Sequence, residues 1–171
     1  MKFGPKFLAA VGLLALAAAP AAAQDRGEAM RQCRAHLREA VAAFEAARYD
    51  SVLGALDRVL ECDPANADAF YWRGRVFLAR ADTVRALETL TAGTAAAPLS
   101  SRLKLLLARV LFTKGKPAEA SEHIDAVLAV KPREPEALYL RGLVRLAQGD
   151  TASALSDWTR SLESVLREKR R

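Results

Sequence analysis

The sequence predicts an all-α fold built from a repeated pair of antiparallel helices. Pro64, Pro98 and Pro132 are equally spaced along the chain. Their spacing of about 34 residues, which we call the repeat interval, is typical of stacked helical repeats, and we expect about four of them. The stretches 73–87 (RGRVFLARADTVRAL) and 141–155 (RGLVRLAQGDTASAL) lie two repeat intervals apart. Each of these two stretches reads as a helix, a tight break and the start of a second helix.

Other residues recur with the same interval, and each has a packing role. Small residues occupy one position, as Gly74, Ala108 and Gly142. Alanine occupies a second position, at Ala86, Ala120 and Ala154. We expect these two positions to face each other where the helices of a pair cross. A third position is large and apolar, as Leu90, Ile124 and Trp158, and would fill the layer between neighbouring pairs.

The breaks between helices have the expected composition. Proline ends the second helix of each pair because it lacks an N–H group and clashes with the preceding turn. Within pairs, KGKP (114–117) and QGDT (148–151) supply glycine where one helix stops and proline or a capping residue where the next begins.

The first and third pairs differ from this pattern. In the first pair, the leading helix fits only with a turn one residue short, which would bury Leu37, Ala40, Val41 and Phe44. The third pair begins with LKLLLARVLF, apolar nearly all round and typical of a helix in the middle of a stack. The predicted helices cover 30–47, 50–62, 67–80, 84–96, 101–113, 117–130, 135–148 and 151–169.

Together, these positions resemble the tetratricopeptide repeat family over about 140 of the 148 residues that follow Ala23. Lys104 departs from the pattern, because it stands where the family has an apolar residue. The resemblance implies a right-handed superhelix of antiparallel helix pairs, an α-solenoid. Its repeats would cover approximately 31–66, 67–100, 101–134 and 135–169, within one domain of residues 24–171.

The N-terminus has the layout of a cleavable signal peptide over residues 1–23. Lys2 and Lys6 precede the uncharged apolar run 7–19, and small residues at Ala21 and Ala23 suit signal peptidase. An uncleaved membrane anchor is the alternative, although the run is short for a membrane span. We expect export, to the periplasm or out of the cell, with no stable membrane span after cleavage.

The two cysteines fall at opposite ends of the first helix pair. Cys33 lies early in its first helix and Cys62 late in its second, so antiparallel packing brings them together. An exported chain meets an oxidising compartment, which favours a disulfide. Two buried thiols are the alternative, and two cysteines alone do not make a zinc site.

Residues for catalysis or cofactor binding are not apparent. His36 and His123 lie in different repeats without neighbouring ligands, and the common phosphate-loop, hydrolase and metalloprotease motifs are missing from the sequence. We expect no enzyme activity, no cofactor and no metal. Loss of residues 1–23 lowers the net charge from +6 to +4. This mild excess is scattered along helices, so nucleic acid is not an expected partner.

The family resemblance implies a concave face lined by the first helix of each pair. Mapped onto this sequence, that face comprises Tyr71, Trp72, Arg75, Arg102, Leu105, Leu106, Arg109, Tyr139, Leu140 and Leu143. Aromatic and arginine side chains are the usual anchors of protein interfaces. Packing of the same residues against the neighbouring helix is the alternative.

These observations predict an exported, non-catalytic module that binds a protein or peptide segment in the concave groove. Its role would be that of a scaffold, an assembly factor or a chaperone. One alternative is an anion-binding module for acidic polymer or nucleic acid, using scattered arginines and the terminal REKRR. Another is a self-associating scaffold, in which the outer side of the last helix pair meets a second copy.

Overall fold

The computed structural model describes residues 27–170, in which eight α-helices and no β-strand occur. The helices are α1 (27–45), α2 (Tyr49–Cys62), α3 (Ala67–Ala79), α4 (Thr83–Ala96), α5 (Ser101–Thr113), α6 (Pro117–Val130), α7 (Pro135–Ala147) and α8 (Thr151–Glu168). Their bounds lie within a few residues of the predicted ones. The all-α prediction is confirmed, whereas the predicted signal peptide lies outside the described residues. None of the helices in 27–170 is both long and apolar enough to cross a membrane.

The described residues divide into two compact units, with the boundary between Asp63 and Pro64. The described part of the N-terminal unit contains α1 and α2, and the C-terminal unit contains α3 to α8. In the N-terminal unit, Cys33 and Cys62 form a disulfide with their Cα atoms 6.3 Å apart. An ion pair of 3.1 Å between Arg58 Nη2 and Glu39 Oε2 also connects the two helices.

The buried face of α1 agrees with the predicted one at Ala40 and differs from it at the other predicted residues. Cys33, Ala40 and Ala43 are buried, whereas Leu37, Val41 and Phe44 are only partly buried. The expectation of a shortened turn was wrong, because three residues separate α1 from α2, as in every later pair. Ala40 precedes Gly74 by one repeat interval. Because the turn has its full length, Ala40 therefore occupies the small position of the first repeat.

In the C-terminal unit, α3–α4, α5–α6 and α7–α8 form three packed pairs, and each pair also packs against the next. The leading helices α3, α5 and α7 contact one another in that order. One apolar cluster, which includes Leu90, Leu103, Ile124 and Leu138, fills the interior. Helix α5 buries seven of its 13 residues, as predicted for a helix in the middle of a stack.

The small position allows the helices of a pair to approach closely. A Cβ atom at Gly74 would lie 2.7 Å from Leu90 Cδ2, and one at Gly142 would lie 2.6 Å from Trp158 Cδ1. These contacts join the small position to the large apolar one in the same pair. The side chain nearest to the small position is therefore the large apolar residue of the same pair, and not the alanine that was predicted to face it.

Side chains cap four of the helices, as their N-terminal residues favour. Asn66, Asp82, Ser100 and Asp150 accept hydrogen bonds from the backbone N–H three residues later. The capping role expected of Asp150 is thus confirmed, and its bonds to Ser153 lower its pKa.

Candidate partner-binding surface

Helices α3, α5 and α7 lie side by side and carry all ten residues predicted to line a groove. Three of these residues are instead part of the interior: Leu105, Leu106 and Leu140 are buried in the apolar cluster. Neighbouring leading helices contact each other directly. Apolar residues between them therefore fill the space that a groove would occupy. These three leucines therefore offer no accessible side chain to a partner, and the groove prediction is wrong for them.

The predicted residues at the start of this surface form a compact cluster of rings and arginines. The Arg102 Cζ lies 3.7 Å from the centre of the Tyr71 ring, and the Arg75 Cζ lies 4.7 Å from the Trp72 ring. The two rings meet edge to face, with centres 5.6 Å apart. Arg102 also donates a 2.9 Å hydrogen bond to Asp68 Oδ1. We call Asp68, Tyr71, Trp72, Arg75 and Arg102 the arginine–aromatic cluster.

The remaining predicted residues extend the surface toward α7. Arg109 of α5 forms an ion pair with Glu136 of α7. Tyr139 is about half exposed, and Leu143 is partly buried against the apolar cluster. Arg102 and Arg109 thus each bridge to a neighbouring leading helix, to Asp68 on α3 and to Glu136 on α7.

A buried carboxylate in the last helix pair was not predicted from the sequence. Asp157 of α8 accepts hydrogen bonds from Arg141 Nε and Nη2 at 2.8 and 2.7 Å, and from Arg145 Nη1 at 2.8 Å. The hydrogen bond to Asp157 is the main cause of the raised pKa of Arg141. An acidic residue between Ala154 and Trp158, on the buried side of α8, was the signal in the sequence.

The N-terminal unit contains a hollow of about 310 Å³ beside the disulfide, open to solvent. Its lining includes His36, Arg58 and Glu61. In the C-terminal unit His123 is partly buried, and this desolvation lowers its pKa. Across residues 27–170, no three His, Cys, Asp or Glu side chains come together in a way that could hold a metal ion.

Comparisons with known proteins identify the family to which these helix pairs belong. Two models of the tetratricopeptide repeat family match residues 43–110 and 105–164, together well over half of the chain. Cellulose synthase operon protein C of Xanthomonas axonopodis pv. citri (strain 306) is 35% identical over 82 residues. That match covers 48% of this chain but only 5% of the relative.

Solved structures show the same fold at low sequence identity. MamA has a TM-score of 0.68 at 17% identity, and the match covers 81% of both chains. The pilF protein of Pseudomonas aeruginosa has a TM-score of 0.71 at 21% identity, with coverage of 82% of this chain and 63% of that one. The chain therefore belongs to the tetratricopeptide repeat family, whose members generally mediate protein–protein interaction and whose fold is typically non-catalytic.

Proposed function

We propose that this chain binds a protein or peptide segment across α3, α5 and α7 of the C-terminal unit. The observation that carries the proposal is the arginine–aromatic cluster, where Arg102 lies over the Tyr71 ring and Arg75 over the Trp72 ring. Tryptophan, tyrosine and arginine are enriched among residues that dominate binding energy at interfaces. The mutual contacts hold these side chains in place before a partner arrives, which reduces the entropy lost on binding.

The ion pairs on this surface indicate which chemical groups a partner would present. Arg102 and its partner Asp68 are each about half exposed, and so are Arg109 and Glu136. Exposed pairs of this kind contribute about 0–1 kcal/mol, so a carboxylate of the partner can replace Asp68 or Glu136 at small cost. The surface therefore suits a segment in which an acidic side chain neighbours an apolar or aromatic one.

Substitution of the cluster tests this proposal. Tyr71→Ala combined with Arg102→Ala should weaken capture of partners from an envelope extract at least roughly tenfold, because hot-spot residues each contribute about 2 kcal/mol or more. The matched control is Arg85→Ala on α4, which removes an arginine lying 5.8 Å from the Phe77 ring but outside the proposed surface. Equal capture by the double variant and the control, with unchanged far-UV circular dichroism, would contradict the proposal.

We further propose that residues 1–23 direct export and are removed, so that the chain acts in the periplasm or outside the cell. The disulfide of the N-terminal unit supports this location, because such bonds persist in oxidising compartments. Expression of the full chain followed by cell fractionation and intact-mass measurement tests the idea. A processed chain that begins at Gln24 is expected, whereas an unprocessed chain in the cytoplasm would contradict it.

The biological role is proposed at the level of a scaffold, an assembly factor or a chaperone for envelope proteins. The relative named for a cellulose synthase operon supports a role in the envelope, on a match that covers 5% of its length. Identification of the captured partners tests this role, and enrichment of cytoplasmic proteins alone would contradict it.

Anion binding is a second candidate function, and one feature favours it. Arg133, Arg160 and Arg167 surround a hollow of about 100 Å³ with Glu163 as its acidic residue. Binding of an acidic polymer there would weaken steeply as salt increases, because bound counterions are released. A shallow salt dependence of partner binding would instead favour the arginine–aromatic cluster as the binding site.

A further inference from the structure

The last helix exposes a line of leucines on one side. Leu155, Leu162 and Leu166 of α8 are each between 47 and 60% exposed. Their spacings of seven and four residues place them on one face of the helix. We call these three residues the leucine stripe. They lie apart from the arginine–aromatic cluster, which belongs to α3 and α5.

Residues at the same positions in earlier repeats indicate that the leucine stripe is a packing surface. Leu128 precedes Leu162 by one repeat interval, so the two leucines hold the same position in successive repeats. Leu128 is 8% exposed and belongs to the apolar cluster together with Leu138 of α7, whereas Leu162 is 60% exposed. Leu87 precedes Leu155 by two repeat intervals and also packs against that cluster. Leu155 and Leu162 therefore occupy positions that earlier repeats pack against the apolar cluster, and none of the described helices covers the stripe.

We propose that the leucine stripe is a contact between two copies of this chain, with the two α8 helices antiparallel. When Leu155 of one copy lies beside the partner's Leu166, two-fold symmetry creates the same contact a second time. In that register Leu162 lies only about 2 Å along the helix from the two-fold axis, so the two copies of Leu162 meet near the centre. The three leucines of one copy thus contact those of the other without leaving one unmatched.

The charges at the ends of α8 agree with the same register. Asp150 caps the N-terminus of α8, and its carboxylate is exposed. Arg167, Lys169 and Arg170 make the other end basic. The antiparallel arrangement places Asp150 of each copy beside the partner's basic end, whereas a parallel arrangement would bring the two basic ends together. The contacts between the leucines and the charges at the helix ends therefore favour the same antiparallel pair of α8 helices. On this basis we infer that a second copy of the chain covers the leucine stripe.

The oligomeric state of the chain in solution tests the proposal. The sample is the full chain after expression and whatever processing the host cell carries out. We expect a monomer–dimer equilibrium in sedimentation experiments over roughly 1 µM to 1 mM, the range suited to a contact of less than standard interface size. Leu162→Glu should weaken dimerisation at least tenfold, because it places two carboxylates near the axis. The matched control is Leu99→Glu, since Leu99 is 94% exposed and lies between α4 and α5.

Disulfide trapping tests the register independently. The paired substitutions Leu155→Cys and Leu166→Cys introduce thiols about 16 Å apart along one helix, too far to bond within a single copy. The native cysteines are joined to each other, so they do not compete. Mild oxidation should give a covalent dimer with 155–166 linkages identified by mass spectrometry, and Leu99→Cys should give far less.

Three results would overturn the proposal. The first is a monomer at every concentration, which would leave the stripe to a different occupant. The second is a dimer that Leu162→Glu and Leu99→Glu affect equally. The third is trapping that gives 155–155 and 166–166 linkages in place of 155–166. Unchanged far-UV circular dichroism of each variant verifies that the fold is intact.

Discussion

At the scale of single residues, Asp157 holds the last helix pair together by charge. Its side chain is 1% exposed and accepts bonds from two arginines of α7. Arg141 also lies 3.9 Å from Asp125 of α6, measured from Nη1 to Oδ1. A buried charge is stable only when hydrogen bonds and an opposite charge replace the water that it has lost. The arginines supply both, so the packing of α8 on α7 depends on this network.

Removal of the buried carboxylate should destabilise the protein strongly. Asp157→Ala leaves Arg141, only 19% exposed, without its main partner, and we expect a loss of about 3 kcal/mol or more in the free energy of unfolding. Urea denaturation followed by circular dichroism measures the change. Asp125→Asn is the matched control, because Asp125 is 60% exposed and its pair with Arg141 should contribute less than about 1 kcal/mol. Similar losses for both variants would show that burial does not set the strength of these pairs.

Single residues were the level at which the sequence predicted least. Leu105 and Leu140 belong to the helices that the family uses for binding, but contacts between neighbouring helices bury them. Asp157 was recognisable only as an acid on the buried side of a helix, and the sequence did not indicate which arginine would reach it. Both outcomes depend on contacts between helices, which a repeat pattern in one dimension does not specify.

At the scale of elements, the turns within the four helix pairs share one backbone conformation. Ala47, Ala81, Gly115 and Gly149 follow one another at the repeat interval and have φ values of 54°, 59°, 73° and 86°. Positive φ suits glycine and costs an alanine roughly 1–2 kcal/mol. The first two repeats therefore keep the turn with a strained residue.

The same substitution should have opposite effects at two glycines. Gly149→Ala places a side chain at φ 86° and should lower the free energy of unfolding by about 1 kcal/mol. Gly54→Ala lies within α2, where the new Cβ would meet no atom within 4 Å, and should raise it by about 0.5–1 kcal/mol because alanine favours helix. Chemical denaturation of both variants measures the two shifts. Shifts of the same sign would contradict the assignment of backbone conformation at one of these sites.

The positions of the helices were predictable because the helix start and stop signals agree with the spacing of the recurring residues. Proline or a capping residue marks the starts of α3 to α8, and glycine or alanine lies in the turns within pairs. The structure places α5 and α6 at the predicted bounds. The face of α1 was not predictable, since the positions equivalent to Phe70 and Phe77 hold His36 and Ala43, each beside a larger apolar residue. A shift of one residue in the assumed turn then rotates the predicted buried face by about 100°.

At the scale of the whole molecule, the N-terminal unit adds a covalent link to its apolar packing, whereas the C-terminal unit has no cysteine. The C-terminal unit has an apolar cluster that extends from Leu90 on α4 to Val144 on α7. The described part of the N-terminal unit is a single helix pair closed by the disulfide between Cys33 and Cys62, which are 29 residues apart. One repeat buries little apolar surface by itself, so a covalent link matters more in the smaller unit.

Loss of the disulfide should therefore destabilise the N-terminal unit selectively. The combined substitutions Cys33→Ser and Cys62→Ser remove a constraint worth about 3 kcal/mol for a loop of this length. Both tryptophans, Trp72 and Trp158, lie in the C-terminal unit, so their fluorescence reports the unfolding of that unit while far-UV circular dichroism reports all helices. We expect part of the helical signal of the variant to disappear at lower urea than the fluorescence change, with the fluorescence midpoint nearly as in the parent.

A reducing agent should reproduce this separation in the parent chain and have no effect on the serine variant, which serves as the control. Equal shifts of both signals would mean that the units unfold together, and that the disulfide stabilises the whole chain through the coupling between neighbouring repeats. An unchanged helical signal would instead mean that α1 and α2 are stable without the covalent link. Either result would contradict the proposed dependence of the N-terminal unit alone on its disulfide.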